Sequence, residues 1–172
     1  MDIRLLDPAH AKEWSQLRLE ALTTEPDAFG SAPEDHLKLS LDDLSGRLRA
    51  VDQGNFVYGA FADGALCGMA GFRRDESTKG RHRGGLWGVY VAANQRGKGV
   101  ARKLVAAVIS RAKTYPGLEY ITLTVSVPQD AAKALYESLG FVSWGREPGP
   151  LKIGDRYVDE YHMVLDLRAL AA

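Results

Sequence analysis

Four residues near the middle of the chain, Arg96-Gly97-Lys98-Gly99, have the make-up of an anion-binding loop. Two glycines one residue apart let the backbone turn tightly enough for successive N–H groups to point into one concavity. Their missing Cβ atoms let an anion's oxygens come close. Before the loop, Leu86 to Val91 mixes β-branched, aromatic and aliphatic residues in the manner of a buried strand. After it, Val100, Ala101, Leu104, Val105, Val108 and Ile109 recur at three- and four-residue spacing, which places one apolar stripe along a helix. A strand, glycine loop and helix in that order bring the free N–H groups and positive end of the helix to the loop, and phosphate is the anion they suit.

The spelling excludes two common phosphate loops. A Walker loop needs Ser or Thr after its lysine to hold magnesium, and Lys98 is followed by Gly99. The dinucleotide fingerprint needs a third glycine where Arg102 stands, and it follows the first strand of its chain, which Leu86 to Val91 is not. A nucleotide-binding or dehydrogenase domain is therefore disfavoured.

What fits is Arg96-x-x-Gly99-x-Ala101, which resembles the R/Q-x-x-G-x-G/A signature of the GNAT acetyltransferase superfamily. Downstream, Gln129-Asp130-Ala131-Ala132-Lys133-Ala134-Leu135-Tyr136-Glu137-Ser138-Leu139-Gly140-Phe141 is similar to that family's N-x-x-A-x-x-L-Y-x-x-x-G-F segment. The two motifs come in the family's order and at a compatible spacing, and the resemblance runs from Asn55 to Leu167.

The resemblance implies acetyl-CoA as co-substrate and a primary amine, of a small molecule or a peptide, as acceptor. Backbone N–H groups of Gly97, Lys98, Gly99, Val100, Ala101 and Arg102 would hold the pyrophosphate, with Arg96 and Lys98 adding charge. The strand residues Val89, Tyr90 and Val91 would lie along the pantetheine arm, Val89 and Val91 pairing with its amides like an added strand. An N–H near Val91 would receive the oxyanion, and Tyr136 would protonate the departing thiolate. Holding a neutral amine in line with an already activated thioester supplies much of the rate, up to about 7 to 11 kcal/mol in favourable cases.

Two departures mark the site. Gln129 stands where asparagine is common, keeping the amide on a longer arm. Thr124 stands where some members carry a glutamate, and threonine cannot take a proton from an ammonium. Asp159, Glu160, Glu119 and Tyr90, with His82 and Glu34 as outliers, are the remaining candidates to relay that proton. Phe29, Glu34, Tyr157 and Tyr161 are candidates to line the acceptor pocket. With these departures in view, a non-catalytic acyl-CoA binding domain of the same fold is the alternative.

The elements that position these residues follow in order. Residues 2 to 6 read as a strand, and Asp7-Pro8 as the cap and first position of a helix with Trp14, Leu17, Ala21 and Leu22 on its apolar face. Ser31 with Glu34, and Ser40 with Asp43, read as two capping boxes, and Leu37, Leu41, Leu44 and Leu48 as one apolar stripe; the family resemblance implies that this helical pair forms a wall of the acceptor site. Asn55 to Phe61 and Ala65 to Phe72 read as a hairpin turning at Asp63-Gly64. The charged run Arg73 to Gly85 reads as a solvated loop. Glu119 to Val127 alternates as a strand, Gly140 stops the helix of the second motif, and Phe141 to Arg146 and Arg156 to Leu167 are the last strands, with Pro148-Gly149-Pro150 and Gly154-Asp155 as turns. This order gives an α/β, seven-stranded, mixed and mostly antiparallel sheet with helices on both faces, as in the acyl-CoA N-acyltransferase fold. The family expectation is a splay between the fourth and fifth strands.

At 172 residues the chain is expected to form one domain. Its 22 basic and 22 acidic residues cancel, so no overall field points to nucleic acid or a membrane surface. The single cysteine, Cys67, reads as a small buried residue, and neither an export signal nor a membrane span is legible, which suits the cytoplasm. No metal site is legible, and a homodimer through the last hairpin is expected from the family.

Overall fold

The strands read from the sequence join into one seven-stranded sheet in a computed structural model that describes residues 1–169. The strands are β1 (Asp2–Leu5), β2 (Phe56–Ala62), β3 (Ala65–Arg74), β4 (Arg83–Val91), β5 (Tyr120–Ser126), β6 (Val142–Ile153) and β7 (Arg156–Asp166). The helices are α1 (Ala11–Thr24), α2 (Pro33–Leu37), α3 (Leu41–Leu48), α4 (Val100–Ala112) and α5 (Asp130–Ser138). The strand order is β1-β2-β3-β4-β5-β7-β6, antiparallel throughout except for the β4–β5 pair. The β2–β3 hairpin turns at Asp63 and Gly64, both in the left-handed region.

Apolar residues cover both faces of the sheet. On one face Leu104, Val105 and Val108 of α4 pack on Phe56, Phe72, Ile121 and Leu123. On the other, Trp14, Leu17 and Ala21 of α1, with Leu44 and Leu48 of α3, pack on Val57, Met69 and Tyr90. Cys67 is buried and its thiol reaches the Ala60 carbonyl at 3.3 Å. No helix among the described residues is long and apolar enough to cross a membrane.

Five local expectations change. Asp7 caps a short 3₁₀ turn, Pro8–His10, and α1 proper begins at Ala11. Ser31 caps nothing: the fixed φ of Pro33 starts α2 behind Ala32, while the Ser40–Asp43 capping box forms as read. Leu37 and Leu41 are exposed, so only Leu44 and Leu48 carry the stripe. Part of the charged run is structure: β4 begins at Arg83, and Arg74 is buried, donating to the carbonyls of Arg81 (2.6 Å) and Pro116 (2.7 Å). Pro148-Gly149-Pro150 is an irregularity within the edge strand β6 instead of a turn, and proline's missing N–H costs nothing on an edge. The hairpin turns at Gly154-Asp155.

Candidate functional site

Strands β4 and β5 pair over three positions only, Arg83 with Tyr120, Gly84 with Ile121 and Gly85 with Thr122. Beyond them β4 keeps its ladder to β3 as far as Val91, and β5 keeps its ladder to β7 as far as Ser126. Each strand thus turns an unpaired edge toward the other, and a gap opens between them.

A bulge shapes this gap. Met69 pairs with Tyr90 but Gly71 with Trp87, so Gly88 and Val89 together face Ala70. Gly88 has φ +63, the left-handed conformation that glycine adopts without strain. Strict alternation would put Trp87 and Tyr90 on opposite faces, and the extra residue puts both toward α1. The Trp87 ring lies edge-on to Trp14 at 6.4 Å, and Tyr90 donates to Glu20 Oε1 at 2.8 Å.

The gap continues into a cavity of about 430 Å³. Its lining comes from both faces of the sheet: Trp87, Tyr90, Thr124 and Phe29 from the α1 side, and Val89, Val91, Leu123 and Tyr136 from the α4 side. Val89, Tyr90, Val91, Arg96, Gly97, Gly99, Val100, Ala101, Arg102, Gln129 and Tyr136 all line it, so of the residues assigned by sequence to the cofactor and to the general acid only Lys98 stays outside.

The glycine loop forms one end. Gly97 (φ +75) and Gly99 (φ +73) are both left-handed, and a Cβ built on either meets nothing within 4 Å. Gly99 is the N-cap of α4, with no side-chain cap and no acidic residue in the first turn, so the first-turn N–H groups face open space. The cations differ from expectation. Arg96 donates to the Val91 carbonyl (3.0 Å) and to Glu25 Oε1 (2.8 Å), so its charge is paired and it fastens the loop to β4 and to the residue after α1. Lys98 folds back onto the Asn94 carbonyl and Gln95, at 3.0 Å each. Arg102 lines the cavity and donates to the neutral Ser138 hydroxyl at 2.7 Å, tying α4 to α5.

Tyr136 is the one buried residue of α5. Phe141 packs against its ring edge at 5.9 Å, and the Phe141 N–H donates to the Tyr136 carbonyl where Gly140 (φ +92) ends the helix. Burial alone drives the phenol far above its usual range, so it keeps its proton and acts as a donor. Gln129 stands at the N-cap of the same helix, its side chain making no cap bond.

The candidate bases separate clearly. Asp159 is held by Arg146 (2.7 Å) and the Gly149 N–H, which keep its carboxyl below the usual range. Glu119 pairs with Arg168, and His82 accepts from Glu119 and Tyr120, at the paired end of β4 and β5 away from the gap. Glu34 is exposed on α2, and burial raises the Tyr90 phenol. Glu160 faces Ser126 across the β5–β7 ladder, on the side of the sheet that carries Thr124. Burial pushes its carboxyl above the ordinary range, against the smaller opposing pull of His162. Tyr157 is exposed and Tyr161 lies under Lys133 on the other face, so of the four candidate pocket residues only Phe29 lines the cavity. Sequence reading missed the bulge at Gly88, although a lone glycine inside a strand pattern is the usual signal for one. No group of three or more potential metal ligands occurs among the described residues.

A family model described as acetyltransferase (GNAT) family matches residues 12–141. No curated protein matches the chain. Among solved structures, the chain is similar to a GNAT-family acetyltransferase from Streptococcus pneumoniae, with TM-score 0.83 and 23% identity over 95% of this chain and 96% of that one. A ribosomal-protein-alanine N-acetyltransferase from Brucella melitensis gives 0.78 and 23% over 96% and 99%. A GNAT-superfamily phosphinothricin acetyltransferase from Sinorhizobium meliloti, in complex with acetyl-CoA, gives 0.82 and 18% over 96% and 87%. At these identities the structural likeness is one of fold. The fold and the family model agree, and the chain belongs to the GNAT family of acetyltransferases.

Proposed function

We propose that this protein transfers the acetyl group of acetyl-CoA to a primary amine by direct attack. The observation that carries the reading is the cavity through the β4–β5 gap, which joins the open glycine loop, a protonated buried tyrosine and the α1 face of the sheet. The N–H groups of residues 97–102, with the Arg102 side chain, hold the pyrophosphate, and the unpaired edge of β4 aligns the pantetheine amides. The bulge at Gly88 turns a β4 N–H toward the thioester oxygen. The amine enters from the α1 face, its C–N bond forming as the C–S bond breaks. Tyr136 gives its proton to the departing sulfur, and the amine's proton passes through water to Glu160, which stands in for the carboxylate that Thr124 cannot supply.

Thiol release from acetyl-CoA, followed with a chromogenic disulfide reagent across amino acids, polyamines, aminoglycosides and short peptides, tests this. Release that depends on one class of amine is the expected result. Acetyl-CoA that stabilises the protein while no amine raises release would instead favour a non-catalytic binding domain. The exposed Val142, Trp144 and Tyr157 on the last hairpin are where a second copy would pair, and light scattering of the purified protein would test this association.

A further inference from the structure

Among the described residues, Arg18 is a buried cation without a counter-ion. It projects from α1, its exposure is 6%, and its Nε and Nη1 have no hydrogen-bond partner. Its one polar contact is a long bond from Nη2 to the Ser31 hydroxyl, 3.4 Å, in the loop before α2. The guanidinium lies near the Trp14 and Trp87 rings, 5.8 and 5.5 Å from their centroids. Its charged neighbours make matters worse: Arg47 repels it, and His36, depressed first by its burial, is lowered further by Arg18 and Arg47. Burial and this repulsion push the guanidinium down to about 10, which still leaves it charged at neutral pH. A buried cation with open donors and a second cation nearby is unfavourable unless an anion arrives from outside.

Its position says which anion. A Cβ built on Gly88 comes 3.2 Å from Arg18 Nη1, so the guanidinium stands against the β4 bulge. Gly88 and Trp87 both line the cavity, and they do so from the α1 face, where the acceptor enters under the proposed function. We propose that Arg18 receives the carboxylate of the acceptor, so that the substrate class is an amino acid or a similar amine with a carboxylate on a short spacer. This rests on the N-acetyltransferase reading. Gly88 to Val91 spans three residues of strand, roughly 10 Å, so amine and carboxylate must be close neighbours in one small molecule. The planar fork of a guanidinium matches a carboxylate with two parallel bonds, through Nε and Nη2 or through Nη1 and Nη2, and at Arg18 the long Ser31 contact leaves Nη2 able to complete either pair beside the unpartnered Nε or Nη1.

The test compares matched acceptors on the unaltered protein: an amino acid, its carboxamide and its decarboxylated amine, with an aminophosphonate as a fourth arm. The expected kcat/KM for the acid exceeds that for either neutral partner by about 100-fold or more, because a site built for a bond rejects the analogue lacking it. Arg18→Met is then expected to erase this preference by raising KM for the acid, with acetyl-CoA affinity unmoved. Because the substitution removes an uncompensated buried charge, its melting temperature is expected to hold or rise, whereas a purely structural arginine would lower it. Acid and neutral amines acetylated equally well would overturn the assignment of Arg18 while leaving the transferase standing. Strong preference for the aminophosphonate alone would overturn the carboxylate. Acetyl-CoA bound but no amine accepted would overturn the transferase reading and this one with it.

Discussion

Replacing Gly99 with aspartate puts one negative charge at the mouth of the loop where the pyrophosphate is expected to sit. The structure separates the effect on binding from the effect on folding. A Cβ at Gly99 meets no atom within 4 Å, so nothing is crowded, and the remaining strain is the left-handed φ of +73. An L residue there costs about 1 to 2 kcal/mol, less for Asp and Asn, which tolerate this region. With a phosphate charge about 5 Å away, Coulomb's law gives about 0.8 kcal/mol at the dielectric of water and about 3.3 at an effective value of 20. The expected weakening of acetyl-CoA is therefore roughly 4- to 250-fold. Gly99→Asn carries the same strain without the charge, so the ratio of the two dissociation constants isolates the electrostatic part. Calorimetric titration of both variants at low and high salt is the assay, and the ratio should shrink as salt screens the pair. S-acetylpantetheine, which lacks the pyrophosphate, should bind both alike. Equal affinity of the two variants for acetyl-CoA at low salt would refute the placement of the pyrophosphate at this loop.

Further outcomes follow from the same geometry. Tyr136→Phe should lower kcat about 100-fold, the scale of one general acid, while acetyl-CoA binding and stability stay within about 1 kcal/mol in calorimetry and thermal unfolding. Glu160→Gln should flatten the acidic limb of the kcat/KM profile. It should also stabilise the protein at neutral pH: a carboxyl raised by burial favours folding only below its unfolded value, and that support is lost as pH rises through the raised one. Gly88→Ala should cost about 1 to 2 kcal/mol of left-handed strain, lowering the melting temperature by roughly 2 to 8 °C, and should abolish turnover by disturbing the bulge. On the acid side, Arg168 holds the Asp166 carboxyl down at about 2, and Arg146 and Ser40 lower Asp159 and Asp43. These groups support folding above their unfolded values, so urea stability should fall as pH drops from about 4 toward 2. Because none of the three is buried, high salt should reduce the effect.

The local elements of this protein were legible because their causes are local. Two glycines followed by a three-and-four apolar spacing specify the Gly97–Gly99 loop and α4, Asp63-Gly64 specifies a hairpin, and Gly140 ends α5, since each depends on backbone freedom or side-chain period within a few residues. The expected splay came from the family motifs, and the β4–β5 register fits it by breaking off after Gly85. What no local rule contains is partnership across the chain. Arg96 looked like a phosphate ligand until Glu25, 71 residues away, was found holding it. Arg74 looked solvated until the carbonyl of Pro116 covered it. Glu160 differed from Asp159 only when β6 brought Arg146 to one and left the other half-buried beside Thr124. Arg18, one cation among the residues of an amphipathic helix, became a candidate specificity residue only because folding put it behind Gly88 with no carboxylate of the described residues paired to it. Charge and burial are properties of surroundings assembled from distant segments, so the sequence determines the frame of this site and the tertiary structure decides which of its charges are free to act.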